Sequence, residues 1–417
     1  MKYLVLLCDG MADYPVEALG GKTPLEAANK PNMDKLAKTA KIGLCKTVAD
    51  NLKPGSDVAN LSVLGYNPEK YYTGRSPLEA GSIGIDMFDT DVSLRCNLVT
   101  LSTGECFEDK TLVDYCAGDI SSYEARELVE FLQKELGNEI FRFYNGVSYR
   151  HCLIWKNGTL DVGELTPPHD ITGRCVKDYV PSHENAQCLY ELMKKAHELL
   201  QNHPVNLERI RKNLRPANGI WLWGEGKRAE LDSFEEKYGV KASMISAVDL
   251  LKGIGKFAEM NVVFVDNATG YIDTNFEGKA QAALDEFANG QDFVYVHIEA
   301  PDECGHRNEV QNKVRSIEII DEKVLGPILD ELEKYKNYKI LIMPDHPTPL
   351  SLMTHTNDAV PFLMYTRRET FDGAETFNEK TAKASGIYFE KGYTIMDDFL
   401  KEAVENKKNL EAIEDID

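Results

Sequence analysis

Four short segments place Asp, His or Ser just after apolar runs: Cys8-Asp9-Gly10, Gly55-Ser56-Asp57, Asp302-Glu303-Cys304-Gly305-His306, and Asp345-His346 with His355 nine residues later. Taken singly, each has an ordinary explanation. An Asp followed by Gly is a common turn, and Asp302 with His306 has the i,i+4 spacing of a simple contact along one helix face. Taken together they supply three carboxylates and three histidines. That mixed oxygen and nitrogen donor set suits Mn²⁺, Zn²⁺ or Fe²⁺ better than Ca²⁺. The donors suffice for two ions, and two ions roughly 4 Å apart can hold both the attacking and the leaving oxygen of a displaced phosphoryl group. Ser56 offers a nucleophile. Its hydroxyl is weak at neutral pH and needs a base or a metal to activate it. Lys53-Pro54-Gly55 breaks the chain and Ser56–Leu64 reads as a helix. Ser56 then sits at or near a helix N-terminus, either as a plain N-cap or beside N–H groups that would face a transferred phosphate.

The elements that must hold these residues read as follows. Tyr3–Cys8 is a continuous apolar run, the mark of a strand covered on both faces. Asn32–Ala40 is helical in its spacing and Ile42–Val48 is a second strand. From about Tyr66 to Lys212 the texture changes to α+β. Asp91–Ser102 alternates and meets a turn at Thr103-Gly104-Glu105; Ser121–Leu136 is a helix with Ser121 and Glu124 in capping-box spacing. Ile140–Tyr144 and Val147–Trp155 suggest a hairpin around Asn145-Gly146, and Glu184–Leu200 a long amphipathic helix. From about Arg215 the α/β rhythm returns, with apolar runs at Gly219–Trp223, Val262–Val265, Phe293–Ile298 and Lys339–Met343, and helical patterns at Thr274–Phe287 and Asn308–Glu333. The expected architecture is a doubly wound, mostly parallel α/β sheet built from residues 1–65 and 213–417, with an inserted α+β domain at 66–212. In such sheets sites form beyond the carboxyl ends of the strands, where Asp9, Asp302 and Asp345 fall. Glu402–Asp417 reads as a helix with a frayed acidic tail.

Composition bounds the partners. The 417 residues carry a formal charge of −21, which argues against nucleic acid and against an anionic membrane surface. A small anionic substrate stays compatible, because a local cluster of Arg, His or metal outweighs a negative average. The apolar run at Leu4–Cys8 is too short for a signal peptide, and no stretch reaches the roughly 18 apolar residues of a membrane span. Nine cysteines without a CxxC pair suggest reduced thiols and a cytoplasmic location, and Cys8 and Cys304 read as small buried residues. Gly20-Gly21-Lys22-Thr23 lacks the earlier glycine of a phosphate loop, and Ala80-Gly81-Ser82-Ile83-Gly84 lacks the first glycine of a nucleophile elbow. Neither supports an ATPase or an esterase.

The motifs Cys8-Asp9-Gly10, Pro54-Gly55-Ser56-Asp57-Val58-Ala59-Asn60-Leu61-Ser62, Glu299-Ala300-Pro301-Asp302-Glu303-Cys304-Gly305-His306, Pro344-Asp345-His346 and Thr354-His355-Thr356-Asn357 resemble, in order and over nearly the whole chain, the archaeal-type cofactor-independent phosphoglycerate mutases of the alkaline phosphatase superfamily. The resemblance implies two divalent ions, Mn²⁺ first, with Zn²⁺, Co²⁺ or Mg²⁺ as alternatives. Asp302, His306 and His355 would hold one ion; Asp9, Asp345, His346 and Ser56 would hold the other. Ser56 would take the phosphate of 3-phosphoglycerate, and the retained glycerate would recover it on its other hydroxyl as 2-phosphoglycerate, with no bisphosphoglycerate. The run around Ser56 departs from the Gly-Asn-Ser-Glu-Val-Gly-His of the bacterial and plant branch. The lysine which that branch places beside its serine has no assigned counterpart in this sequence; Arg215 and Lys227 lie only in its neighbourhood.

The inserted domain would grip the glycerate, and a site shared between two domains would open and close around substrate. Arg95 and Asn97 in Leu94-Arg95-Cys96-Asn97, and Arg150-His151, are the candidates for substrate binding, since arginine pairs with carboxylate or phosphate through two parallel bonds. Arg150 and His151 are also catalytic candidates. His169-Asp170 is a further binding candidate and a possible acid–base group for the hydroxyl exchange; Arg75, Arg174 and Lys227 rank behind. The alternatives are a homoserine-kinase-like phosphotransferase of the same family, a metal-dependent phosphatase, and a degenerate binding protein. The complete donor set argues against the last. Oligomeric state is not legible.

Overall fold

The structure, a computed structural model, describes residues 1–104 and 106–414. Glu105 of the expected turn and the last three residues of the acidic tail lie outside the described residues. Two strands come first, β1 (Lys2–Cys8) and β2 (Lys41–Cys45). Then follow β3 (Val92–Leu101), β4 (Leu112–Asp114), β5 (Phe141–Val147), β6 (Arg150–Trp155) and β7 (Gly219–Lys227). The rest are β8 (Ala242–Ile245), β9 (Asn261–Val263), β10 (Phe293–Ile298), β11 (Tyr338–Met343), β12 (Val360–Thr366) and β13 (Tyr388–Phe389).

The chain divides into two compact units, Met1–Tyr72 with Leu231–Asp417, and Thr73–Glu230. The first unit holds an eight-stranded sheet in the order β13-β2-β12-β11-β1-β10-β8-β9. Its pairings are parallel except those of β12, which runs antiparallel to both β11 and β2. Every residue of β10 and β11, and all of β1 after Lys2, is buried. Consecutive residues of a strand point to opposite faces, so both faces are covered. Full burial of each Val, Leu or Ile there contributes about 1.5–3 kcal/mol. The uninterrupted apolar runs in the sequence are the direct trace of this environment.

The second unit is a five-stranded sheet in which β3 pairs antiparallel with β6, β7 and β4, and β6 pairs with β5. A helix at Ser122–Leu136, with Ser121 accepting from the Glu124 N–H, and another at Gln187–Leu200 belong to it.

Four expectations need correction. The run at Gly219–Trp223 is not part of the main sheet: it is the start of β7 and pairs with β3, so the second unit extends to Glu230. An apolar run states that a strand is buried but not which sheet buries it. The β5–β6 hairpin turns at Ser148-Tyr149, not at Asn145-Gly146, which lie within β5 where the register shifts. Ser148 takes the positive φ, 54°. Strand β3 does not alternate, having nine of its ten residues buried. The Asn308–Glu333 helix starts at Val310 and passes through a π-turn at Ile320–Leu325 before Gly326–Leu332. The π-turn immediately precedes Gly326-Pro327, where proline removes a helical N–H. Among the described residues no helix is long and apolar enough to cross a membrane.

Candidate active site

The topology gathers the chemistry at one edge of the main sheet. β1, β10 and β11 are parallel neighbours, with Cys8 opposite Ile298 and Leu7 opposite Met343. Asp9, Asp302, Asp345 and His346 follow their carboxyl ends. His355 precedes β12, and the start of an antiparallel strand lies at the same edge as the ends of its parallel neighbours. Ser56 follows β2, another strand of that sheet.

Ser56 is the first residue of the helix Ser56–Val63, and Gly55, not Ser56, occupies the N-cap. Its hydroxyl is therefore not engaged as a cap. Its Oγ lies 3.2 Å from His346 Nε2. His346 Nε2 in turn is 3.4 Å from Asp345 Oδ2 and 3.7 Å from Asp9 Oδ1. A second set closes beside it: His306 Nε2 is 3.3 Å from Asp302 Oδ2 and 2.9 Å from His355 Nε2, and His355 Nε2 is 3.4 Å from Asp302 Oδ1. The two sets touch through His346, whose ring stacks on His355 with centroids 3.9 Å apart. Ligand atoms of Asp302, His346 and His355 lie within 4.8 Å of one another, as do those of Asp9, Asp345 and His346.

The surrounding hydrogen bonds turn Nε2 of His306 and of His346 toward the cluster. His306 Nδ1 lies 3.0 Å from the Met353 carbonyl, so Nδ1 carries the proton and Nε2 turns to the cluster. Met353 holds that carbonyl with φ at 56°. Thr348 donates its hydroxyl to Asp302 Oδ1, and its oxygen lies 3.3 Å from His346 Nδ1, so that nitrogen carries a proton and donates it to the Thr348 oxygen. Lys313, fully buried, donates to Asp13 Oδ2 at 2.7 Å and to the Thr348 carbonyl at 2.8 Å, which fastens the His346 loop to the segment after β1.

The electrostatics fit cations. Asp9, Asp302 and Asp345 are buried, and their ion-pair partners among the described residues are all histidines. Burial, then the carboxylates of Asp345 and Asp302, push Asp9 well above the usual carboxylate range. Burial and the Asp302 carboxylate push Glu299 up to about 8. Burial acts to raise Asp302 too, but hydrogen bonds from His306 and His355 prevail and hold it well below the ordinary range. The hydrogen bond to Asp302 lifts His306 to about 9, while burial lowers His346. Asp9 Oδ1 is buried with no hydrogen-bond partner. A buried carboxylate oxygen is costly in that condition unless it binds a metal. Orphaned oxygen, uncompensated carboxylates and inward imidazole nitrogens make a donor set that suits divalent ions.

Gly10 sets how closely the sets approach. It has φ of +61°, and a Cβ on it would lie 2.6 Å from the Asp302 Cα. Gly10→Ala is expected to destabilise the chain by about 2–4 kcal/mol, combining a left-handed alanine with overpacking. The urea unfolding midpoint measures it; an unchanged midpoint means that the approach of Asp302 to Gly10 is not required.

The inserted unit holds the remaining candidates. Arg95 makes a two-bond pair with Glu79, at 3.0 and 3.1 Å, and lies over the Trp223 ring at 4.4 Å. Arg75 shares Glu79. Asn97 uses both ends of its amide internally, donating to the Tyr115 carbonyl and accepting from Trp223 Nε1. Arg150 and His151 are adjacent in β6 and so point to opposite faces; Arg150 is exposed and His151 buried. Burial pulls His151 down to about 4, Gly146 N–H meets its Nδ1, and its Nε2 has no hydrogen-bond partner. His169 is exposed, edge-on to Trp223 and Tyr115, with Asp170 3.6 Å from its Nε2. Arg174 bonds Tyr179 and Arg215 bonds Asp114. The Lys227 carbonyl accepts from Thr73.

Several residues were not singled out from sequence: His297, Tyr295, Thr348 and Lys313, and Asn60, which was quoted within a motif but given no role. His297 offered one signal, an imidazole inside an otherwise apolar and aromatic strand.

A mostly parallel α/β sheet with an inserted α+β unit, carrying paired carboxylate–imidazole sets beside a helix-start serine, is the class that fold and site define. A family model described as 2,3-bisphosphoglycerate-independent phosphoglycerate mutase matches residues 37–206. The enzyme of that name from Methanosarcina barkeri is 50% identical over 389 residues, 93% of this chain and 96% of its own. A solved Pyrococcus horikoshii protein superposes with a TM-score of 0.80 at 31% identity, over 96% of this chain and 97% of that one. The cofactor-independent phosphoglycerate mutase of Thermoplasma acidophilum superposes with a TM-score of 0.69 at 26% identity, over 97% and 100%. The chain belongs to the 2,3-bisphosphoglycerate-independent phosphoglycerate mutases.

Proposed function

We propose that the chain interconverts 3-phosphoglycerate and 2-phosphoglycerate through a phosphoserine at Ser56, at a site holding two divalent ions. The observation that carries this reading is the position of the Ser56 hydroxyl, uncapped at a helix start and 3.2 Å from His346, which lies within 4.8 Å of ligand atoms in both carboxylate groups. Asp302, His306 and His355 would hold one ion, and Asp9, Asp345 and His346, with Ser56, the other. Bound ions would supply positive charge that favours the serine alkoxide and neutralises the phosphoryl oxygens.

Ser56 Oγ gives up its proton and attacks phosphorus as the bond to the glycerate 3-oxygen breaks, and that oxygen takes up a proton. The glycerate stays bound. Its 2-hydroxyl then loses a proton and attacks the phosphoserine, and Ser56 Oγ leaves and regains its proton. N–H groups in the first turn of Ser56–Val63 stabilise phosphate on Ser56. Arg95, Arg150 and His169 are the side chains of the inserted unit whose chemistry suits the anionic cargo.

A coupled assay with enolase, 3-phosphoglycerate and Mn²⁺, lacking both bisphosphoglycerate and ATP, is expected to show turnover that EDTA abolishes. Full turnover in exhaustively chelated, metal-free protein contradicts the two-ion reading. No turnover in metal-loaded, folded protein contradicts the substrate, and homoserine with ATP is then the next pair to test.

A further inference from the structure

We infer that strand β10 is a positioning element for the Asp9–Asp345–His346 set, with His297 and Tyr295 fixing the orientation of its two carboxylates. The inference rests on the two-ion reading. His297 and Tyr295 are two apart on a strand, so both project from one face of the sheet. Both are fully buried.

His297 Nε2 lies 2.8 Å from Asp9 Oδ2, and its Nδ1 lies 3.0 Å from Ser246 Oγ. Ser246 Oγ accepts from the Val248 N–H at 3.0 Å. The Ser246 proton is then directed at Nδ1, which leaves the ring proton on Nε2, donated to Asp9. One oxygen of Asp9 is thereby committed. The other, Oδ1, is the buried oxygen without a hydrogen-bond partner, and it faces His346.

Tyr295 acts through Asn60. Its hydroxyl donates to Asn60 Oδ1 at 2.6 Å, which fixes the amide so that Nδ2 donates to Asp345 Oδ2 and to the Ser56 carbonyl, each at 2.8 Å. The same amide therefore ties the serine-bearing helix to the carboxylate. Neither relay contains a formal cation that would compete with a metal for the carboxylates. Partners of metal-ligating groups are worth about 10–100-fold in metal affinity, and this strand supplies two.

The test is calorimetric titration of the full chain with Mn²⁺, for wild type, His297→Phe, His297→Gln and Tyr295→Phe, with near-UV circular dichroism as the check on packing. Wild type is expected to bind two ions. His297→Phe should weaken one of them by about 10–100-fold and leave the other within about threefold, and His297→Gln, which keeps an N–H donor, should recover most of the loss. Tyr295→Phe should weaken the same ion by about tenfold. Tyr295→Phe removes one oxygen only, and it decides the matter if His297→Phe fails to fold. Two ions bound by every folded variant with wild-type affinity overturn the positioning role and leave the two-ion reading intact. Equal weakening of both ions, together with altered circular dichroism, also overturns it, as a structural effect. A wild type that binds no Mn²⁺ overturns both.

Discussion

Ser56→Ala is expected to retain the fold and two bound Mn²⁺ ions while losing mutase turnover by about 10⁴-fold or more. The magnitude follows from the role. Removing a covalent nucleophile removes the reaction path, whereas removing a metal-contacting hydroxyl alone weakens a site that keeps its other donors. The fold should tolerate the change, because Ser56 is half-buried and its hydroxyl caps nothing. The only hydrogen-bond partner of that hydroxyl among the described residues is His346. Steady-state kinetics and elemental analysis of one preparation separate the two roles. Intact metal content with near-normal turnover excludes Ser56 as the nucleophile.

His346→Gln is expected to have the second large effect, because His346 is assigned to the ion beside Ser56, whose hydroxyl lies 3.2 Å from its Nε2. Glutamine roughly preserves the volume but cannot reproduce the imidazole lone pair. The substitution should weaken the ion beside Ser56 by about a hundredfold or more, and turnover should fall by about 10³-fold or more at micromolar Mn²⁺. His306→Gln serves as the comparison. His306 closes on Asp302 and His355 alone and is half-buried, so its loss should weaken the other ion and spare the one beside Ser56. Equilibrium dialysis followed by elemental analysis reads both stoichiometries. If His346→Gln and His306→Gln lose the same ion, the assignment of these two histidines to separate ions is wrong.

The site was legible in the sequence where burial and chemistry coincide. Strands β1, β10 and β11 are covered on both faces, so each appears as a mostly apolar run, and a chemically conspicuous residue follows each. The helix start at Ser56 was legible because Pro54-Gly55 can only be a break. His355 was legible as a donor but not in its placement. That depends on β12 running antiparallel between β11 and β2, and strand direction leaves no mark in composition.

Other features depend on partners distant in sequence. Gly219–Trp223 has the same texture as the parallel strands, yet its partner is β3. Arg150 and His151 read as a pair because they are adjacent, while the pleat separates them. Asn145-Gly146 has the residues of a tight turn, yet the chain continues in β5 and turns at Ser148-Tyr149. The orienting residues were illegible for a related reason. Tyr295 and His297 look like strand filler until Asn60 and Asp9, more than 200 residues away, meet them.

In the proposed mechanism a phosphoryl group is carried on Ser56. The direct measurement is rapid acid quench of wild-type protein turning over 3-phosphoglycerate with Mn²⁺, followed by peptide mapping by mass spectrometry. One phosphoryl group is expected on the peptide containing Ser56, absent from Ser56→Ala and from protein quenched before substrate is added. An unmodified Ser56 peptide at every quench time, in protein that is converting substrate, would contradict it.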